Sequence, residues 1–291
     1  MKVLLYGKNA QTISDLASSL GFEIVSSHPD MIISYGGDGT LLASEREFPN
    51  IPKLPIRDSK VCKKCSDHTE EALLKLLKEG RLKSEEKIKL EAVFEDHKLY
   101  ALNEIVIRNL TPIHAIRFEV AINNRLITPK LITASPERSR LRPDVGEAKV
   151  KACAANELRS GLSLNNRKPR TLSPRKLIIG DGVVIATAFG STGYFKSVTG
   201  KTFETGINLA FNNTTEKIEP LFLNKWDLIK IKIIRGPAAL SVDNNPKIPT
   251  LKEYDEVKIK VSDKTTTIFV PETLRCSRCI IKKHQRLSEG Y

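Results

Sequence analysis

The stretch Met31-Ile32-Ile33-Ser34-Tyr35-Gly36-Gly37-Asp38-Gly39-Thr40 decides the reading of this chain. Its first half is an apolar run of strand length, and its second half sets three glycines around one acid. A buried strand that ends in glycines is the pattern of an open α/β sheet, where ligands bind beyond the carboxyl ends of the strands. Glycines let the backbone approach a ligand without Cβ clashes and aim N–H groups at phosphate oxygens. A carboxylate inside such a loop opposes phosphate binding unless it acts. Phosphoryl transfer to an alcohol needs a group that orients the hydroxyl and accepts its proton, and Asp38 fits that role. The competing reading is a glycine turn with a solvated Asp. The loop is not the phosphate-binding Gly-x-x-x-x-Gly-Lys-Ser/Thr pattern, which the chain lacks.

Working outward, Lys2–Tyr6 reads as a strand, and Asn9–Leu20 has helical spacing, with Ile13, Leu16, Ala17 and Leu20 on one stripe and Gly21 as its stop. Phe22–Val25 reads as a further buried strand, linked to Met31–Tyr35 by too few residues for a parallel crossover between neighbours. Thr69 to Gly80 is a capped helix, with Glu70 and Glu71 at its positive end and Leu73, Leu76 and Leu77 facing inward. From about Leu90 the apolar period becomes two. Ile116, Phe118, Val120 and Ile122 alternate with polar or small residues before an Asn123-Asn124 turn, and Ile229, Ile231 and Ile233 alternate with lysines. The expected architecture is an α/β N-terminal domain over residues 1–95, an all-β C-terminal domain over 96–270, and a tail over 271–291. Residues 131–175 break the pattern with four prolines and no aromatic residue, and read as a mobile insertion.

The chain of 291 residues carries a net charge of +13, which allows nucleic acid, a membrane surface or a phosphate-rich substrate as partner. Residues 131–175 hold ten Lys/Arg against four Asp/Glu, so +6 of that charge is local. That basic segment has no aromatic to stack on bases, which argues against nucleic-acid binding. No apolar run reaches the length of a membrane span, so a cytoplasmic location is expected. Five histidines show no ligand spacing, and Trp226, just before a strand, reads as a core residue.

A second cluster joins Gly180-Asp181-Gly182 to Thr187-Ala188-Phe189-Gly190-Ser191-Thr192-Gly193-Tyr194. Small residues and hydroxyls around one aromatic suit a close-fitting pocket for a sugar and base. Taken alone, a hairpin turn followed by a Gly/Ser loop explains it better.

Together, Gly36–Thr40, Asn103-Glu104 within Ala-Leu-Asn-Glu-Ile, Gly180–Gly200 and Ser241-Val242-Asp243-Asn244 resemble the NAD kinase family, in that family's order and across most of the chain. The resemblance implies a two-domain NAD kinase-like architecture with the active site between the domains. It implies that Asp38 activates the 2′-hydroxyl of the adenosine ribose of NAD. Gly37, Gly39 and Thr40 would frame that base, and Asn103 and Glu104 would form the nucleotide-binding pair, Asn103 on the adenine. Asp181, Thr192, Gly193, Tyr194, Ser197 and Asp243 would line the same pocket. ATP or polyphosphate would be the donor, with Mg²⁺ or Mn²⁺ neutralising it, and the protein would be a homo-oligomer. Three departures stand out: Pro52–Ser59 replaces a glycine-rich segment, Asn244-Asn245 stands where many relatives have Gly-Gln, and Gly193 where Ala is common. A lipid or sugar kinase sharing the glycine-aspartate loop is the nearest alternative.

Cys62/Cys65 and Cys276/Cys279 form two Cys-x-x-Cys pairs. In the resembling family the tail returns toward the N-terminal domain, which would let the four thiolates close one structural Zn²⁺ site. Two local disulfides, or four reduced thiols, remain open alternatives.

Overall fold

The computed structural model describes residues 1–58, 69–128 and 177–271. The four cysteines of the expected zinc site, the basic segment 131–175 and the tail beyond residue 271 therefore lie outside the described residues.

Four parallel strands open the chain: β1 (Lys2–Tyr6), β2 (Glu23–Ile24), β3 (Met31–Tyr35) and β4 (Lys53–Ile56), in spatial order β2-β1-β3-β4. Strands β2 and β3 flank β1 from opposite sides, so the short link between them never had to join neighbours. The expectation of a buried strand over Phe22–Val25 needs correction. Only Glu23 and Ile24 pair, both are exposed, and Phe22 alone turns into the core. An edge strand with one partner has little to bury. The expected helix over Asn9–Leu20 starts as a 3-10 turn at Ala10–Ile13 and continues as α1 (Ser14–Ser19), and Gly21 ends it at φ +82°.

Periodicity did not announce α2 (Asp38–Glu47). Its two large apolar residues, Leu41 and Leu42, are adjacent rather than spaced by a turn, and they pack on Leu102, Ile268 and Val270. Helix α3 (Glu70–Lys78) has the expected cap, with Thr69 Oγ1 accepting from the Ala72 N–H at 3.2 Å. Its Leu73, Leu74 and Leu77 are buried against the parallel strands.

The rest of the described chain is β structure. Strands β5 (Lys83–Phe94), β6 (His97–Ala101), β7 (Glu104–Asn109), β8 (Ile116–Ile122), β9 (Arg125–Ile127), β10 (Ile178–Gly180), β11 (Gly182–Thr187), β12 (Ile207–Asn212), β13 (Leu221–Leu223), β14 (Ile229–Arg235), β15 (Ala238–Val242), β16 (Thr250–Leu251) and β17 (Glu256–Val270) follow in order. Among the described residues they build an antiparallel six-stranded sheet, β13-β12-β11-β7-β15-β16, and extend the parallel strands into a mixed sheet of eleven. The long β17 makes that extension: it runs antiparallel to β14 and β5 and meets β4 in parallel at Ile268↔Lys53. The two sheets face each other across one core, with Ile105, Ile107, Val183 and Ile185 opposite Phe118, Val120, Ile231 and Ile259. The fold is thus a mixed α/β part followed by β structure, as expected.

Ile127 pairs Val120 and Ile178 pairs Phe118, on the same edge of β8 and both antiparallel. Ile178 therefore stands two places beyond Ile127 on one interrupted strand, and everything between Thr128 and Ile178 is inserted into it.

Trp226 is not a core residue. It is 80% exposed in the turn after edge strand β13, where the Lys225 ammonium lies 4.3 Å from its ring centroid. A tight turn on an edge strand faces solvent on most sides.

Candidate active site

Strand β3 is buried along its whole length and delivers the chain to Gly36 at the carboxyl edge of the parallel strands. A Cβ on Gly36 would lie 2.2 Å from Thr40 Oγ1, so the turn into α2 admits no side chain there. Gly37 is the N-cap, and Asp38 is the first residue of the helix rather than a loop residue. Its carboxylate is 81% exposed, and Oδ1 lies 3.3 Å from a terminal nitrogen of Arg57, which follows the neighbouring strand β4. An exposed carboxylate at a helix N-terminus is available to a hydroxyl arriving from solvent.

The Asn103-Glu104 pair sits at the bend between β6 and β7. Asp243 makes that bend. One of its oxygens accepts from the Leu102 N–H at 2.7 Å, and the other from Asn103 and Glu104 at 2.9 and 3.0 Å. Burial raises the Asp243 carboxyl above its ordinary range, and these three N–H groups and the Lys89 ammonium pull it back. Its assigned place among nucleotide-binding residues is therefore one of support: both oxygens are committed to the backbone. Thr187 supports the bend from the other side, its hydroxyl donating to Leu102 O at 2.6 Å and its N–H to Asn103 O at 2.9 Å. Gly190 lies so close that a Cβ would come within 2.3 Å of Asn103 O.

With the backbone so held, two side-chain oxygens stay unanswered. Asn103 Oδ1 and Glu104 Oε2 are buried and have no hydrogen-bond partner. Burial pushes the Glu104 carboxyl up to about 7, against the opposing pull of the Tyr194 and Phe195 backbone N–H groups. Helix α4 (Tyr194–Thr199) begins over this carboxylate, and a Cβ on Gly193 would stand 3.4 Å from Glu104 Oε2. Thr192 closes the 3-10 turn that leads into α4, and Tyr194 accepts a hydrogen bond from Asn212 Nδ2 at 3.0 Å. Ser197 sits one turn along, its hydroxyl 3.5 Å from Gly193 O.

The sequence-predicted residues thus fall in two groups that meet and one that does not. Asp243 holds the Asn103-Glu104 bend, while its neighbour Asn244 donates from Nδ2 to Gly39 O in α2 at 2.7 Å. The Asp38 turn and the Asn103-Glu104 bend are therefore tied to consecutive residues. Gly193 and Tyr194 adjoin Glu104. Asp181 stands apart: Ala186 is opposite Glu104 on β7, so Asp181 lies five residues, roughly 17 Å, along β11. Its oxygens accept from Asn109 Nδ2 at 3.3 Å and Asn213 Nδ2 at 2.9 Å. Gly180-Asp181-Gly182 is no hairpin, since β10 and β11 belong to different sheets and the tripeptide carries the chain between them.

No protein-family model matches the chain. Curated relatives include the NAD kinase of Saccharolobus islandicus, 29% identical over 135 residues, which is 44% of this chain and 53% of that protein. The NAD kinase of Sulfurisphaera tokodaii is 33% identical over 117 residues, 37% of this chain and 46% of its own. The chain spans about half the length of the curated relatives it matches. Among solved structures, an NAD kinase from Archaeoglobus fulgidus in complex with ATP superimposes with a TM-score of 0.64 at 18% identity, covering 99% of this chain and 98% of that one. This chain has the NAD kinase fold and resembles the NAD kinases in sequence. Yeast NADH kinase complexed with NADH gives a TM-score of 0.59 at 17% identity, over 92% of this chain and 71% of its own.

Within that NAD kinase frame, sequence reading missed how α2 is anchored. Glu45, two turns after Asp38, is buried with Lys53 and Lys89. Its Oε2 lies 2.5 Å from the Lys53 ammonium and accepts from Thr266 Oγ1 at 2.5 Å, and its Oε1 accepts from Lys89. Lys53 also donates to Phe48 O and Ile51 O at 2.8 and 2.7 Å. Burial lowers the Lys53 ammonium below its ordinary value, with Glu45 opposing and Lys89 adding to the fall. A lysine inside an otherwise apolar strand is the one available signal, and it does not reveal its partner.

The described residues gather no group of three or more His, Cys, Asp or Glu able to cage a metal. A Mg²⁺ ion carried on donor phosphates needs only one or two carboxylates, and exposed Asp38 fits that demand. Among the described residues no helix is long and apolar enough to cross a membrane.

Proposed function

We propose that the chain is an NAD kinase, transferring a phosphoryl group from ATP or polyphosphate to the 2′-hydroxyl of the adenosine ribose of NAD. The observation that carries this reading is the pair of unanswered buried oxygens, Asn103 Oδ1 and Glu104 Oε2, in the bend tied to the Asp38 helix. Buried acceptors without donors are costly, and a ligand offering an amino group and a hydroxyl satisfies both. Asn103 takes the adenine edge and Glu104 a ribose hydroxyl. Asp38 then accepts the proton of the hydroxyl that attacks, and Gly37, Gly39 and Thr40 leave the donor phosphates an approach. Thr192, Gly193, Tyr194 and Ser197 line the base and sugar side. Asp181 lies at the other end of β11, its oxygens held by Asn109 and Asn213, and is given no role in this pocket; we also propose that the chain forms a homo-oligomer.

A divalent ion, Mg²⁺ or Mn²⁺, would neutralise the donor's phosphates. The four-cysteine Zn²⁺ site on Cys62, Cys65, Cys276 and Cys279 rests on spacing; elemental analysis tests it, with about one equivalent per chain expected. The kinase reading itself is tested by an NADP-formation assay run with ATP and with polyphosphate side by side. Turnover with at least one donor is expected; none with either donor, in the presence of Mg²⁺ or Mn²⁺, would overturn it.

A further inference from the structure

We infer that Asn244 is a positioning residue for this reaction: its side-chain amide bridges to the Gly39 carbonyl and aims the first turn of α2, and with it Asp38, at the hydroxyl held over Asn103 and Glu104. The inference rests on the kinase reading given above. Asn244 Nδ2 donates to Gly39 O at 2.7 Å, one residue beyond Asp38. Its Oδ1 accepts from Arg46 at 3.0 Å, and its backbone carbonyl lies 3.4 Å from the same guanidinium nitrogen, so it touches both ends of α2. The preceding residue, Asp243, holds the Asn103-Glu104 bend through three N–H groups.

Two residues joined by one peptide bond thus grip opposite sides of the site, and consecutive Cα atoms are only ~3.8 Å apart. Asp243 adopts φ +48°, a left-handed turn that lets the neighbouring side chains diverge toward their separate targets. The body of α2 does not need this contact. Glu45 is already fixed to Lys53, Lys89 and Thr266, and Leu41 and Leu42 are packed. What the bridge to Gly39 adds is confined to the exposed first turn, where Thr40 and Leu41 close backbone bonds onto Gly37 O, at 3.0 and 3.3 Å. Misplacing a reacting group by about 1 Å can cost up to ~10²-fold in rate, so a contact of modest strength at this point is felt in turnover.

The test compares Asn244→Ala and Asn244→Asp with the full-length protein. Asn244→Asp keeps an acceptor for Arg46 but loses the donor to Gly39 O. Both variants are expected to lower kcat by about tenfold, with NAD affinity measured by calorimetry within about twofold of wild type. Amide exchange at Thr40 and Leu41 is expected to quicken in both, with the thermal midpoint shifted by about 2 °C or less. Wild-type turnover in Asn244→Asp would overturn the proposal, as would weakened NAD binding at unchanged kcat, which would make Asn244 a ligand contact. Should the wild-type chain form no NADP, the kinase reading fails separately, and exchange decides the bridge: faster exchange at Thr40 and Leu41 supports it, unchanged exchange refutes it.

Discussion

The chain contains the tripeptide Gly-Asp-Gly twice, at residues 37–39 and 180–182, and the two copies have opposite fates. Asp38 opens a helix beyond the carboxyl end of a parallel strand, and its carboxylate faces solvent beside one arginine. Asp181 sits where the chain passes between two antiparallel sheets, and two asparagine amides occupy its oxygens. The same three letters therefore give an exposed carboxylate in one place and a committed one in the other. What differs is the backbone around them: a strand end leaves the side chain in solvent beside one surface arginine, while a crossing between sheets surrounds it with donors. Glu104 is a third kind of carboxylate, buried with one oxygen unanswered.

The largest expected effect breaks the comparison at its active end. Asp38→Asn should lower turnover by about 10²–10⁴, the usual contribution of a general base. Stability should change by less than about 0.5 kcal/mol, because the side chain is exposed and its pair with Arg57 is a surface one. Steady-state kinetics beside a thermal melt check both halves; turnover within a few-fold of wild type would remove Asp38 from the chemistry.

Glu104 sharpens the comparison through pH. Its carboxyl is raised from 4.5 to about 7 in the folded chain, chiefly by burial. The folded state thus holds a proton that the unfolded state releases, so this contribution to stability is full below about pH 4.5 and is lost as pH rises through 7. Glu104→Gln should flatten that slope and stabilise the ligand-free chain at pH 8 by about 1–2 kcal/mol, a figure reduced for partial solvent screening. Denaturant melts from pH 4 to 8 measure it; parallel curves for the two proteins would contradict the assigned burial cost.

Asp181 should show the reverse of Asp38 in a melt. Asp181→Ala removes the acceptor of Asn109 and Asn213 and should cost about 1 kcal/mol, a loss that Asp38→Ala should not reproduce. Equal melts for the two variants would dissolve the distinction between them.

The smallest effect concerns the strand leading into Asp181. Joining Thr128 to Ile178 keeps Ile127 on Val120 and Ile178 on Phe118, so β9 and β10 become one strand in register. Stability should shift by about 1 kcal/mol or less, since closure entropy changes slowly with loop length. An insoluble product would show that the excised residues are needed for folding.

Much of this molecule was legible as letters. The strand before Gly36, the Thr69 cap, the Asn123-Asn124 turn and the alternating isoleucines of β14 each follow from local rules of burial and backbone conformation. The identities of Asp38, Asn103 and Glu104 were likewise readable, because few residue types serve that chemistry. Other features were decided only when distant segments met. Helix α2 has no apolar stripe, and its anchors, Lys53, Lys89 and Thr266, come from three different strands. Trp226 looked like core until an edge turn left it in solvent. The commitment of Asp243 to three backbone N–H groups, and of Asn244 to Gly39, joins residues about 140 and 205 positions apart. Local sequence sets what a segment prefers to be; which donor faces which acceptor across the cleft is set by the packing of two sheets, and no short window of sequence contains it.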